Sequence, residues 1–107
     1  MKNKRFIIYC SVLIALLNLF DGIATHYGVT KNIIEELNPL MDFFMAISPL
    51  LFLCMKIILS ILILCASYWV YQKSKEKFQQ LFLYSLVGVS IMYIGIFCMH
   101  IFWLSLL

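Results

Sequence analysis

The stretch Asn18-Leu19-Phe20-Asp21-Gly22-Ile23-Ala24-Thr25 decides how this chain is interpreted, because it places polar groups inside an apolar segment. Apolar residues run almost unbroken from Phe6 up to this stretch. Asn18, Asp21 and Thr25 then follow at i, i+3 and i+7, a spacing that puts their side chains on one face of a helix. An ionisable group inside lipid is costly and usually faces other protein or a water-filled cavity. The stretch therefore predicts a polar site on the protein-facing side of a membrane helix.

Composition is typical of an integral membrane protein. The 107 residues are 64% hydrophobic and 12% charged, with a mean hydropathy of +1.01, whereas soluble domains are about 45–50% apolar and about 25% charged. The net charge of +3 does not indicate nucleic-acid binding, because the basic residues flank the hydrophobic segments. The four cysteines lie in apolar stretches without C-x-x-C spacing, so we interpret them as small apolar side chains. Any cofactor or metal stays unknown from the sequence.

Three hydrophobic segments are long enough to cross a bilayer, whose core needs about 20 helical residues. The predicted spans are residues 6–29, 49–71 and 79–104, in a single integral membrane domain of residues 1–107. Asn38-Pro39 interrupts the polar stretch after the first span, and proline suits the first turn of a new helix. The sequence thus predicts an all-α membrane protein of three transmembrane helices, with a short interfacial helix over residues 40–47.

The distribution of lysine and arginine predicts the orientation. Three basic residues lie in segment 2–5 and three in segment 73–77, whereas the loop 30–48 has only Lys31 against three acidic residues. Cytoplasmic loops carry an excess of lysine and arginine. We therefore expect the N-terminus and the turn at 73–77 inside, and the acidic loop and the C-terminus outside.

Asp21 has a candidate partner of opposite charge, Lys56, in the second span. At about 1.5 Å per helical residue, Asp21 lies roughly 22 Å from the cytoplasmic edge and Lys56 roughly 10 Å from the outer edge of a core about 30 Å thick. The two side chains are thus at similar depth, and an ion pair between them is the simplest way to accommodate both. In the third span, Tyr93 and His100 share a face, and His100 lies near the outer end.

The combined pattern is more specific than its pieces. It comprises Asn18-x-x-Asp21-x-x-x-Thr25, Glu36-x-Asn38-Pro39-Leu40-Met41 and Lys56 in the next span. Over about residues 13–100 it resembles a family of small prokaryotic membrane proteins catalogued as domain of unknown function 5658. The resemblance implies these signature positions: Asn18, Asp21, Thr25, Glu36, Asn38, Pro39 and Lys56. It supplies no activity, and it implies a multi-pass protein of the cell membrane, the cytoplasmic membrane in a bacterium.

The loop after the first span is predicted to take part in the site. Glu36 and Asn38 lie just beyond the end of that span, so a loop that folds back would cap the Asp21–Lys56 pocket from the outer surface. Asn38 would also cap the helix that Pro39 starts. The candidate ligand-binding or structural polar core is therefore Asn18, Asp21, Thr25, Glu36, Asn38, Lys56, Tyr93 and His100.

Three functions stay open. The first is a site that opens to the outer leaflet and binds or passes an ion or small ligand; three spans are few to enclose a path, so it implies a homo-oligomer or a partner membrane protein. The second is an accessory or assembly subunit of a larger membrane complex, in which Gly88 and Gly95 permit close helix approach and the polar groups serve packing. An intramembrane enzyme is less favoured, because the chain has no H-E-x-x-H, paired-aspartate or serine-nucleophile motif. Membrane lipids are the other expected partners.

Overall fold

The computed structural model describes residues 2–36 and 38–107, and this part of the chain is helical with short connections. Its four helices are α1 (Lys2–Thr30), α2 (Pro39–Ile47), α3 (Pro49–Lys73) and α4 (Glu76–Ser105). Helices α1, α3 and α4 are long and apolar enough to cross a membrane. The prediction of an all-helical chain with three such helices is confirmed.

Helix α1 is the central element of the fold. It packs along both α3 and α4, whereas α3 and α4 barely touch each other, and α2 packs against α3. Accordingly, 39% of the most apolar stretch of α1 is buried, against 22% for α3 and 17% for α4. Polar side chains that need shielding from lipid are therefore best placed on α1, and the polar stretch lies on this helix.

The buried side chains are polar nearly as often as they are apolar, while many large apolar side chains are exposed. Leu16, Ile23 and Ile91 are each more than 60% exposed, for example. One apolar cluster lies towards the α3–α4 turn and consists of Ile7, Ile14, Val70, Leu83 and Leu86. A second consists of Met41, Met45 and Phe52. A surface with so many exposed apolar side chains is unfavourable in water. It is the surface expected for helices that are apolar enough to cross a membrane.

Helix α2 begins where Asn38-Pro39 predicts a helix start. The Asn38 side chain accepts hydrogen bonds from the N–H groups of Leu40, at 3.0 Å, and Met41, at 3.5 Å. These bonds satisfy two of the donors that every helix start leaves unpaired, while Pro39 has no N–H to satisfy. The predicted cap by Asn38 is confirmed.

The connection between α3 and α4 is shorter than the basic segment 73–77 suggests, because only Ser74 and Lys75 separate the two helices. The Gln79 side chain is 4% exposed and donates to the carbonyl oxygens of Ser74, at 3.1 Å, and Val70, at 3.4 Å. It thereby links the last turn of α3 to the first turn of α4 by hydrogen bonds. Gln79 is a structural residue that the sequence pattern did not reveal.

Candidate functional site

Asp21 of α1 and Lys56 of α3 form the predicted ion pair. The Lys56 Nζ lies 2.9 Å from the Asp21 Oδ2, and the two side chains are 9% and 13% exposed. The Lys56 ammonium also donates to the Asn18 Oδ1 at 3.4 Å and lies 5.8 Å from the centre of the Phe52 ring. The Lys56 charge is therefore neutralised, and two of its three N–H donors are engaged.

The second oxygen of the Asp21 carboxylate accepts from α4. The His100 Nε2 lies 2.6 Å from the Asp21 Oδ1, and the Thr25 hydroxyl donates to the same oxygen at 3.4 Å. The indole N–H of Trp103 donates to the His100 Nδ1 at 2.8 Å. Because an indole nitrogen is only a donor, the His100 Nδ1 is an acceptor without a proton, and Nε2 carries the hydrogen that Asp21 accepts.

This tautomer determines the charge of the cluster. His100 is neutral in this arrangement, so the negative charge of Asp21 and the positive charge of Lys56 cancel. Both ring nitrogens of His100 are occupied, by Asp21 and by Trp103. A general base needs a free lone pair within reach of a substrate proton, so this geometry does not provide one at His100.

Asn18 joins the charge pair to the rest of the bundle. Its Nδ2 donates to the Lys56 carbonyl oxygen at 3.0 Å and to the Ser60 Oγ at 2.9 Å. The Tyr93 hydroxyl donates to the Asn18 Oδ1 at 3.0 Å. Asn18 therefore bonds both to α3 and to α4, and it is 4% exposed. We call the bonded group of Asn18, Asp21, Thr25, Lys56, Tyr93, His100 and Trp103 the polar cluster.

Gly22 makes room for the aliphatic part of Lys56. A Cβ at Gly22 would lie 3.0 Å from the Lys56 Cγ and 3.1 Å from its Cβ. The Lys56 chain is held by the α3 backbone at one end and by Asp21 at the other, so it has little freedom to move aside. A Cβ at this position would therefore press on the Lys56 side chain where it crosses α1.

We therefore expect Gly22→Ala to lower the free energy of unfolding by ~1–2 kcal/mol, as overpacking of a tight contact does. Gly88→Ala is the matched control, because a Cβ at Gly88 has no atom within 4 Å among the described residues. In the monomeric protein that control should be neutral or gain up to about 1 kcal/mol from helix propensity. Thermal unfolding in detergent micelles measures both, and equal melting temperatures for the two variants would contradict the close contact.

The loop after α1 turns back towards the cluster through a defined helix end. The Ile33 N–H bonds to the Gly28 carbonyl oxygen at 2.8 Å, and the Asn32 N–H to that of Val29 at 3.0 Å. Asn32 has φ of 59°, which is the left-handed conformation of a Schellman motif, and asparagine is among the residues that tolerate it. The chain therefore reverses immediately after α1.

Gly28 holds the reversed chain close to α4. A Cβ at Gly28 would lie 2.6 Å from the Ile34 Cγ1 and 3.0 Å from the Trp103 Cη2. Ile34 thus packs directly on the α1 backbone, next to the indole that bonds to His100. The loop is in this way connected by contacts to the polar cluster.

Glu36 and Asn38 lie along the same loop but bond locally. The Glu36 Oε1 accepts from the Asn38 N–H at 3.0 Å, while the Asn38 side chain caps α2. Neither side chain has a hydrogen bond to the polar cluster within the described residues. Both line the cavity beside it.

A cavity of about 970 Å³ lies between α4 and the α1–α2 loop, with Asp21 and Lys56 in its wall. Its other polar lining residues on the helices are Thr25, Tyr93 and His100. Its apolar wall is formed by Ile33 and Ile34 of the loop and by Met92, Ile96, Met99, Phe102 and Trp103 of α4. Ligand pockets have volumes of about 300–1,000 Å³ and combine apolar walls with a few polar groups, and this cavity has both features.

Six of the eight candidate residues meet in the polar cluster, and Glu36 and Asn38 line the cavity instead. The sequence pattern places Ser60 on the same face as Lys56, which lies four residues before it. It does not assign Trp103, Gly28 or Asn32 to the site. Trp103 follows His100 by three residues, and this helical spacing is a usable signal. Within the described residues, no group of three or more histidine, cysteine, aspartate and glutamate side chains is arranged to hold a metal ion.

Comparison with known proteins identifies the family. The model of the family described as Domain of unknown function (DUF5658) matches residues 12–106. No curated protein and no solved structure matches the chain. The match covers almost the whole chain, including every residue of the polar cluster, and the resemblance inferred from the signature positions is confirmed. The chain therefore belongs to the DUF5658 family.

Proposed function

We propose that this protein crosses a cell membrane three times and binds a small ligand or ion, which reaches the polar cluster from the outer leaflet. The cavity beside Asp21 is the strongest support for this proposal. Its lining combines half-exposed apolar side chains with the buried Asp21–Lys56 ion pair. In a bacterium the membrane would be the cytoplasmic membrane. The N-terminus would lie inside and the C-terminus outside, as the positions of the basic residues favour.

In this orientation α2 would lie at the outer interface. Met41 and Met45 are buried against α3, whereas Leu40, Phe43 and Ile47 are each more than half exposed. A short helix with apolar side chains left exposed is suited to the boundary between head groups and acyl chains.

Binding is a better description of the site than conduction. The Asp21 carboxylate already accepts from Lys56, His100 and Thr25. A permeating cation would have to displace the Lys56 ammonium, and the uncompensated charge would then be costly at this depth. We therefore assign the cluster the role of a fixed inner wall of the binding site.

The protein would act as a subunit of an oligomer or of a larger membrane complex. Both α3 and α4 leave most of their apolar surface exposed, and a Cβ at Gly88 or Gly95 would meet no atom within 4 Å in the described part of the chain. Close helix approach is thus possible on that side. The same observation favours the second candidate function, an accessory or assembly subunit in which the cluster serves only to hold α1, α3 and α4 together.

Access to the cavity from outside separates the two functions. In a background with the four natural cysteines replaced, Tyr93→Cys places a thiol at the depth of the cluster, where Tyr93 lines the cavity. Tyr84→Cys is the matched control on α4, because Tyr84 is 63% exposed but does not line the cavity. A binding site open to the outside predicts that a small impermeant thiol reagent added to intact cells modifies Tyr93→Cys and not Tyr84→Cys.

Labelling of Tyr93→Cys in inverted vesicles only would contradict the proposed orientation. No labelling of Tyr93→Cys from either side would contradict an open site and favour the assembly subunit. That subunit would also release its partner when the cluster is altered, which the subunit composition of complexes purified from the host would reveal.

A further inference from the structure

We propose that the ligand of this cavity is an amphipathic cation, that is, an ammonium-type head group joined to an apolar body. The inference rests on the proposed function, since it names the ligand class of the same cavity. Three observations support it: the negative charges at one end of the cavity, the apolar wall along its side, and the neutrality of the polar cluster.

The charged lining residues of the cavity are Asp21, Glu35, Glu36 and Lys56. Asp21 and Lys56 compensate each other at 2.9 Å. Glu35 and Glu36 form no ion pair with any described residue, and the one hydrogen bond of the Glu36 carboxylate is to the backbone of its own loop. The net charge presented by the lining is therefore negative, and it is concentrated at the loop.

The one cationic side chain in the described lining of the cavity is already paired with a carboxylate. The Lys56 ammonium donates to Asp21 and Asn18. The nitrogens of His100 bond to Asp21 and Trp103. The carboxylates of Glu35 and Glu36 are the anionic lining groups that have no cationic partner among the described residues, so the chemistry of the cavity mouth suits a cationic head group. The rings of Tyr93 and Trp103 line the same space and add the aromatic faces that attract ammonium groups.

The apolar wall indicates that the ligand also has an apolar part. On α4, Met92, Met99 and Phe102 line the cavity and are 56%, 54% and 66% exposed. In a membrane-inserted α4 these side chains face acyl chains, so the cavity is continuous with the lipid on this side. Methionine side chains are flexible and adapt to varied apolar shapes. A small hydrated cation would leave this wall without a partner, whereas an amphiphile would cover it while its head group meets Glu36.

Binding of matched probes to the full chain in phosphatidylcholine nanodiscs tests the inference. The probes are dodecyltrimethylammonium, which has the cationic head and the apolar tail; dodecyl sulfate, which has the same tail and an anionic head; and tetramethylammonium, which has the head alone. Empty nanodiscs correct for partition into lipid. We expect saturable binding of dodecyltrimethylammonium alone.

Two variants and one control assign the binding to the charged end and to the apolar wall of the cavity. Glu36→Gln removes one charge at nearly constant size and should weaken dodecyltrimethylammonium binding by roughly tenfold. Glu76→Gln, at an exposed carboxylate outside the cavity, is the charge-matched control and should leave the binding unchanged. Met99→Gln alters the apolar wall and should weaken binding of the same probe several-fold.

Each outcome separates the inference from the proposed function. Equal binding of dodecyltrimethylammonium and tetramethylammonium would show that the apolar tail is not recognised. Equal binding of dodecyltrimethylammonium and dodecyl sulfate would show that the positive charge is not recognised. In both cases the proposed binding site would remain, and only the inferred ligand class would be wrong. Equal effects of Glu36→Gln and Glu76→Gln would also overturn the inference, because the head group would not be at Glu36. If no probe saturates, the inference is wrong, and outside labelling of Tyr93→Cys shows whether the proposed open site is wrong as well.

Discussion

Asp21→Asn is expected to destabilise the protein by ~3–5 kcal/mol, the cost of leaving a buried charge without its partner. Asp21 accepts from Lys56, His100 and Thr25 at once, so its replacement weakens contacts with both α3 and α4. Lys56→Met should cost less, ~1–3 kcal/mol, because Asp21 keeps its bonds to His100 and Thr25. This difference between the two variants follows from the observed geometry. In an isolated ion pair, removal of the acid or of the base would lower the free energy of unfolding by a similar amount.

The double replacement of Asp21 by asparagine and Lys56 by methionine should be milder than Asp21→Asn alone. Neither remaining side chain carries a charge, so no ion is left unpaired. Unfolding of the four proteins in mixed micelles gives the coupling energy, which we expect to exceed the cost of Lys56→Met alone. Simple addition of the two single effects would show that Asp21 and Lys56 are not partners.

Gly28→Val is expected to open the α1–α2 loop. The new side chain would occupy the space of Ile34, whose Cγ1 would lie 2.6 Å from the added Cβ. Overpacking of this kind costs ~1–3 kcal/mol, and the loop can relieve it by lifting from α1. A thiol at Glu36→Cys should then react with a bulky external reagent about ten times faster or more, since each ~1.4 kcal/mol is a factor of ten.

Gly88→Val controls for the β-branched substitution itself, because the site of that added Cβ is open within the described chain. It should leave the rate at Glu36→Cys unchanged. Rapid labelling of Glu36→Cys in the wild-type background, with no further effect of Gly28→Val, would show that the loop is freely solvated and does not cover the cavity.

The helices and the ion pair follow from strong local signals in the sequence. Long apolar runs, the Asn38-Pro39 helix start and two charges of opposite sign within the apolar segments each have a direct physical meaning. Asp21 and Lys56 are adjacent in space because few other arrangements neutralise two charges in an apolar environment. These parts of the fold and of the candidate site were therefore predictable.

The remaining parts depend on contacts that the sequence pattern does not specify. The packing of Ile34 on Gly28 joins a loop to a helix through a space that only the folded chain defines. Gln79 follows a basic segment and is typical of a surface residue, although it is buried. The tautomer of His100 depends on one bond from Trp103, and an aromatic residue near the end of a membrane helix is expected first as an interfacial anchor.

The neutrality of the polar cluster is central, because it makes the two loop glutamates the charges that attract a ligand. Nitrogen-15 NMR of histidine-labelled protein in bilayers measures it directly, and His100 is distinguished from His26, the only other histidine, by a His26→Gln variant. The structure predicts that the His100 Nε2 carries the proton and that Nδ1 carries none. In Trp103→Phe, which removes the indole N–H, a mixture of the two tautomers is expected. A proton on Nδ1, or on both nitrogens, in the unaltered protein would contradict the neutral cluster.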